Sequence, residues 1–174
     1  MSTTSIFSFA EFEQLPDEPG KTELLDGELI VSPPPIRDHS VIARQCETHL
    51  WLHWPRNEVW MESGFKIGDQ FLLPDVSVIY PDQPFDGKYW AGAPAIVVEV
   101  RSPSNTAAAL QRKVEVYLLN TIRPATEVWV VEDRRKSVTV YRLSGEEITL
   151  VRRSAPFTCS YGNVTIDPST FFVR

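Results

Sequence analysis

Ala95-Ile96-Val97-Val98-Glu99-Val100-Arg101 is a near-continuous apolar run interrupted by one carboxylate. Runs of this kind, rich in β-branched residues, form central strands covered on both faces. A charged glutamate inside one is costly unless a cation pairs with it or it coordinates one. Strand side chains alternate, so Glu99 and Arg101 are expected on the same face. A second buried strand is read at Asp75-Val76-Ser77-Val78-Ile79-Tyr80, headed by Pro74-Asp75. Downstream, Ser102-Pro103-Ser104-Asn105 ends the first strand and is expected to cap a helix running to about Asn120. Leu110, Val114, Tyr117 and Leu118 form its apolar stripe, with Lys113 on the edge one turn before Tyr117. Glu127 to Glu132 reads as a further buried strand.

The remaining segments fit around these. Ser8-Phe9-Ala10-Glu11 has the capping-box pattern and starts a short helix from about Phe9 to Leu15. Pro16 to Gly20 reads as a loop. Asp26-Gly27 between two apolar-rich arms, Thr22 to Val31, is a strong hairpin signal. After the triple proline Pro33-Pro34-Pro35, Asp38 is expected to cap a helix to about Trp54, with Ile42, Cys46, His49, Leu50 and His53 on one stripe. Val59 to Met61, Gly64 to Gly68 and Phe71 to Tyr80 read as strands, and Asp82 to Gly92 as a loop. Lys136 to Leu143 and Glu146 to Arg152 form a hairpin around Ser144-Gly145. Val164 to Phe172 is expected to be a short strand and a turn. This order argues for an α/β chain of α+β character, with a mixed sheet flanked by helices.

The chain of 174 residues is expected to form one domain over residues 1–174, and its 43% hydrophobic content suffices for an ordinary core. It shows neither a membrane-spanning run nor a basic-then-apolar leader, which predicts a cytoplasmic protein with no membrane partner. Cys46 and Cys159 lack ligand spacing and read as reduced core thiols. A net charge of −6 argues against a protein that coats nucleic acid by broad phosphate neutralisation. It leaves room for an enzyme with a local basic channel beside an acidic site.

Two carboxylates ending adjacent strands converge naturally on a hard divalent cation. Such an ion, with a nearby Lys or Arg, suits phosphodiester hydrolysis, which needs an activated water and neutralisation of developing negative charge. Asp75 and Glu99 fit the ligand role, and the Val100 carbonyl adds an oxygen. Arg101 fits the cation role, and Lys113 reaches the same place from the helix edge. Glu23, on the first hairpin arm, is a third acid. Three converging acids would repel by roughly 4 kcal/mol per pair at ~4 Å and an effective dielectric of ~20, so the cluster makes sense mainly as a cation site. Singly, each residue has a plainer reading: a strand-start cap, a same-face ion pair, a lysine lying along its own apolar stripe. His49 and His53 have the i, i+4 spacing of a zinc pair but no matching third ligand. Arg134-Arg135-Lys136 and Arg152-Arg153 read first as solvated turns, with DNA-backbone contact as the minority reading. The apolar positions Phe71, Leu72 and Trp90 are candidates for an exposed dimer contact.

The stretches Glu23-Leu24-Leu25-Asp26-Gly27-Glu28-Leu29, Pro74-Asp75-Val76, Val98-Glu99-Val100-Arg101-Ser102-Pro103-Ser104 and Lys113-x-x-x-Tyr117, in this order, resemble the Uma-type restriction-endonuclease-like family of the PD-(D/E)XK nuclease superfamily. The resemblance implies a restriction-endonuclease-like mixed central sheet flanked by helices, plus the N-terminal hairpin. It implies an endonuclease hydrolysing DNA phosphodiester bonds through a Mg-bound water, with Mg (or Mn) as cofactor, DNA as partner and a homodimer as the assembly. Asp75, Glu99 and Val100 are then the metal ligands, and Glu23, Asp75, Glu99, Arg101 and Lys113 the catalytic set. Tyr117 becomes a substrate contact; His39, read separately from its place at the start of the helix after the triple proline, is expected near the mouth of the site, where an imidazole can touch a phosphate. The superfamily's lysine falls on Arg101, which stays charged and is a poor base; Lys113 is the substitute. The competing expectation is a catalytically inactive nucleic-acid-binding or assembly module on a nuclease fold.

Overall fold

Pro74 is where the chain changes sheets. It has no N–H for a ladder and restricts the residue before it, so the apolar stretch 70–79 cannot run as one strand. In the computed structural model, which describes residues 6–16, 20–103 and 105–173, that stretch divides into two strands belonging to different sheets. The predicted single strand Phe71 to Tyr80 is corrected accordingly.

The elements in chain order are α1 (Phe9–Phe12), β1 (Lys21–Leu25), β2 (Glu28–Ser32), α2 (Arg37–Leu50), β3 (Val59–Met61), β4 (Phe65–Ile67), β5 (Gln70–Leu72), β6 (Val76–Val78), β7 (Trp90–Ala91), β8 (Ile96–Val100), α3 (Ala107–Leu118), β9 (Glu127–Glu132), β10 (Ser137–Ser144), β11 (Glu147–Arg153), β12 (Phe157–Thr158) and β13 (Thr165–Ile166); a 3-10 turn, Pro168–Phe172, ends the chain. The central sheet has the order β11-β10-β9-β8-β6-β3, and the second sheet β2-β1-β5-β4-β7. In the central sheet β8 and β9 run parallel and the other pairs antiparallel, giving the expected mixed sheet. α3 is the crossover that parallel neighbours require.

Local chemistry accounts for the element ends. Asp26 (φ 53°) and Gly27 (φ 80°) both take positive φ, as a two-residue hairpin turn demands. Ser8 and Glu11 complete the capping box, though α1 ends at Phe12 rather than Leu15. α2 starts one residue before Asp38, after Ile36, so Asp38 sits in the first turn rather than at the cap. It ends at Leu50 rather than Trp54, leaving His53 beyond it. α3 is capped by Thr106, whose hydroxyl accepts the Ala109 N–H; the expected cap at Ser102 to Asn105 lies just upstream, and Ser104 is outside the described residues. Residues 17–19 of the predicted Pro16 to Gly20 loop are also outside them.

Alternation along β8 divides the core in two. Val98 and Val100 face α2, where they meet Ile42, Cys46, Leu50, Val76, Val78 and the fully buried Trp129. Val97 faces the other way, to Val114, Tyr117 and Leu118 of α3 and to Leu25, Phe65 and Leu72 of the second sheet. At ~1.5–3 kcal/mol for each large apolar side chain buried, these two layers hold the fold. Leu72 belongs to the α3-side layer at 0% exposure, and Phe71, 5% exposed, to a third buried cluster with Phe9 and Leu24, which corrects the expectation of an exposed dimer contact; Trp90 packs half-buried against Trp60 and Phe85. Cys46 and Cys159 are buried free thiols, as expected. His49 bonds Thr170 through Nδ1 and meets Phe171 edge-on, so it packs α2 against the C-terminal turn. No helix among the described residues is long and apolar enough to cross a membrane.

Candidate active site

The antiparallel register of β6 on β8 pairs Val76 with Val98 and Ser77 with Val97. Asp75 immediately precedes β6 and Glu99 is the next residue of β8 past this ladder, so the two acids lie at the same end of the strand pair. Both are almost fully buried, at 5% and 6% exposure. They line a cavity of about 280 Å³. Its walls are Lys21 and Glu23 from β1, His39 from α2, Lys113 from α3, Glu62 after β3, and the prolines Pro33, Pro34, Pro35 and Pro103. Four of the sequence-selected residues, Glu23, Asp75, Glu99 and Lys113, thus meet at one point, together with His39 and the Val100 backbone.

Each carboxylate is held from several sides. Lys113 Nζ lies 2.6 Å from Glu23 Oε2 and 3.3 Å from Glu99 Oε1. The Leu73 N–H donates to Glu23 Oε1 (2.8 Å), tying β1 to the segment entering β6. The Val100 N–H donates to Asp75 Oδ2 (2.7 Å), and His39 Nε2 is 3.2 Å from the same oxygen and 3.1 Å from the Val100 carbonyl.

Lys21 is the residue that sequence reasoning missed. Its Nζ lies 3.1 Å from Asp75 Oδ1 and 3.9 Å from Glu99 Oε2, so a half-buried lysine places its ammonium between the two proposed ligands. The signal was present: alternation puts Lys21 and Glu23 on one face of β1.

The charges set the protonation states. Burial pushes the Asp75 carboxyl up, but Lys21 and His39 outweigh it and bring its pKa down to about 2. Burial dominates at Glu99, whose pKa is raised above the ordinary value despite Lys113 and Lys21. Burial opposes the charge of Lys21 and Lys113, yet the surrounding carboxylates, Glu99 foremost, hold both pKa values above the usual lysine range. Burial likewise disfavours the protonated imidazole of His39, but its hydrogen bond to Asp75 raises the pKa overall.

Two expected roles change. Arg101 follows the alternation rule, but its guanidinium turns across to β9 and pairs with Glu132 at 2.6 Å, away from the acid cluster. A carboxylate on the neighbouring parallel strand competes for it at closer range than Glu99. Tyr117 is fully buried, and its hydroxyl donates to Glu99 Oε1 at 3.4 Å. It stands behind the carboxylate as a support, so it is not an exposed substrate contact.

Two carboxylates and the Val100 carbonyl are the hard oxygen donors that Mg²⁺ or Mn²⁺ takes. Among the described residues no three His, Cys, Asp or Glu side chains stand together as a ready metal cage. The Lys21 and Lys113 ammoniums lie between the acids instead. Lys21 is a tethered stand-in cation at the point where Asp75 and Glu99 converge, and in donor chemistry the residues fit a hard divalent ion.

Comparison with known proteins bears on the fold and the family. No curated protein matches the chain. A solved structure, described as that of "a putative nuclease belonging to DUF820" from Anabaena variabilis ATCC 29413, superposes with a TM-score of 0.78, covering 95% of this chain and 97% of the other at 19% identity, which establishes the fold. The sequence profile of the Uma2 family, described as "Putative restriction endonuclease", matches residues 9–159. The chain belongs to the Uma2 family, on a nuclease fold.

Proposed function

We propose that the protein is a metal-dependent endonuclease acting on DNA. The observation that carries this reading is the pair Asp75 and Glu99, buried acids that line one cavity with the Lys21 ammonium within 4 Å of both. Asp75, Glu99 and the Val100 carbonyl would hold Mg²⁺ or Mn²⁺. When bound, the ion supplies an activated water and neutralises charge at the phosphate. Asp75 stays ionised across the physiological range. Glu23 holds Lys113 beside Glu99, and Tyr117 fixes the Glu99 carboxyl from behind. The lysines stay charged and face the cavity, where they stabilise negative charge on a bound phosphate. His39, donating toward Asp75 or the Val100 carbonyl, orients the first acid and faces the incoming backbone.

Plasmid nicking with Mg²⁺ or Mn²⁺, beside calorimetry of Mn²⁺ binding, tests the assignment. Asp75→Ala and Glu99→Ala are expected to abolish cleavage and weaken Mn²⁺ binding at least tenfold while the chain stays folded. Retained cleavage in either variant rules out these roles. The Lys21 ammonium between the acids also favours a second reading, an inactive DNA-binding module whose site is closed by its own lysine. That reading expects neither cleavage nor a metal-induced rise in melting temperature.

A further inference from the structure

Three arginines converge on one buried carboxylate beside the cavity. Glu132, 8% exposed at the end of β9, has Arg101 Nη1 at 2.6 Å, Arg135 Nη1 at 3.2 Å and Arg152 Nε at 3.8 Å. The arginines come from three places: just after β8, the turn between β9 and β10, and β11. Burial raises the Glu132 pKa, but Arg101 and Arg135 lower it further, so the carboxylate is ionised. Three guanidiniums on one carboxylate leave two positive charges in excess. Each carries five N–H donors in a rigid fork, and one carboxylate accepts about four hydrogen bonds, so most donors are left for something else. Their side chains are 42%, 57% and 55% exposed, so those donors face solvent. In a chain of net charge −6 this is a marked local reversal.

The register ties the cluster to the site. Glu99 lies opposite Val130, Val130 opposite Thr139, and Thr139 opposite Arg152. Residues in one cross-strand row share a face. Arg152 is therefore on the face of Glu99, three strands away, or ~14 Å at ~4.8 Å per strand. That span corresponds to about four base-pair steps measured along the axis of a duplex at ~3.4 Å per step. Arg101 begins the path, directly after the cavity-lining Val100.

We propose that Arg101, Arg135 and Arg152, gathered on Glu132, form a phosphate-binding platform that carries a DNA backbone along the sheet into the cavity. The platform deepens, and rests on, the reading of the cavity as a DNA-cleaving site. Guanidinium forks suit phosphate oxygens, and their attachment to a buried anion sets their directions before the ligand arrives.

The test is fluorescence anisotropy of a labelled 20-base-pair duplex with Asp75→Ala, which removes cleavage, over a range of salt concentrations, on that background alone and with Arg135→Gln/Arg152→Gln. Removing two phosphate contacts is expected to weaken binding at least tenfold at low salt. It is also expected to reduce the slope of log K against log[salt] by about 2. Arg135→Lys/Arg152→Lys keeps the charges and is expected to keep the slope while losing part of the affinity. Arg112→Gln/Arg123→Gln makes the same net charge change elsewhere and is expected to leave the slope unchanged. An unchanged slope in the Arg135/Arg152 double glutamine variant, with melting temperature intact, overturns the platform and leaves the nuclease reading standing. Equal slope losses in both glutamine pairs also overturn it, because only net charge then matters. If the background protein binds no duplex even at the lowest salt, both the platform and DNA as the substrate fall together.

Discussion

Replacing Lys21 with methionine removes the ammonium between Asp75 and Glu99 and keeps most of the side-chain volume. At 3.1 and 3.9 Å and an effective dielectric of ~20, Lys21 attracts the two carboxylates by roughly 4–5 kcal/mol each. Dehydration of the ammonium offsets several kcal/mol of this, and removing one partner of a buried pair costs about 3–5 kcal/mol in net terms. The expected loss at pH 8 is therefore about 3 kcal/mol, or roughly 6–12 °C of melting temperature for a chain of this size. The sign depends on pH. Lys21 has a folded pKa above its unfolded value, so its contribution is fully present below about pH 10 and is lost only in alkali. Glu99 is already shifted upward by burial and, without Lys21, takes up a proton more readily. At pH 5 the variant relieves its unpaired charge in this way, and its deficit is expected to fall below half of that at pH 8. Thermal denaturation of wild type and Lys21→Met at both pH values, with and without Mn²⁺, reads all of this. Mn²⁺ is expected to raise the variant's melting temperature by more than that of wild type, because no tethered cation competes for the carboxylates. A variant within ~2 °C of wild type at pH 8 would refute the compensating role. A deficit equal at both pH values would do so too, since lost methylene packing alone is insensitive to pH.

Three further outcomes follow from the same charges. Asp75 falls from 3.8 unfolded to about 2 folded, so it contributes about 2 kcal/mol above pH ~4 that is lost as the pH falls toward 2; urea midpoints between pH 6 and 2.5 should show this slope, and Asp75→Asn should flatten it. Glu99→Gln supplies a neutral isostere where burial already disfavours charge, so stability by urea denaturation should stay within ~1 kcal/mol of wild type while Mg²⁺-dependent cleavage is lost. Glu127, fully buried, accepts from Trp129 Nε1 (2.6 Å), the Ser160 N–H (2.6 Å) and Arg142; Glu127→Ala strands all three and should cost about 3–5 kcal/mol in a urea titration without touching the cavity.

What could be read from the chain beforehand was whatever depends on short-range pattern. The apolar run around Glu99 announced a central strand, Asp26-Gly27 a hairpin and Lys113-x-x-x-Tyr117 a helix face, and all three formed. Pairings between distant segments were less accessible. Phe71-Leu72 and Val76-Ser77-Val78 look alike as apolar β sequence, yet Pro74 sends them into separate sheets, which is why a strand expected to be continuous became a junction. Arg101 pointed to the expected face, but only the parallel register of β8 on β9 reveals Glu132 as its nearer partner. Alternation places Lys21 on the face of Glu23, but its acid partners on the other sheet were hidden for the same reason. Nothing local says that the head of a hairpin arm will be laid beside the start of β6, and the Glu23 bond to the Leu73 N–H, in the connection from β5 to β6, forms only once β1 has paired with β5.

That junction explains why so many charges are tolerated in a buried place. Lys21 and Glu23 arrive from the second sheet, Asp75 and Glu99 from the central one, His39 from α2 and Lys113 from α3. No one layer carries a balanced set of acids and cations except β1: the central sheet brings two acids, and α3 one base. Neutralisation of the central acids happens only when the layers dock, so correct packing is a condition for burying them at all. With His39 neutral, four cavity-lining acids, Glu23, Glu62, Asp75 and Glu99, against the two ammoniums of Lys21 and Lys113 leave negative charge in excess. Protonation of His39 offsets part of it, and the hydrogen bond that His39 makes to Asp75 raises its pKa in that direction. A hard cation would offset it from outside. A site whose acids outnumber its ammoniums, lined by prolines that present little competing backbone N–H, is built to draw in a cation and then the phosphate that the cation and the lysines together can hold.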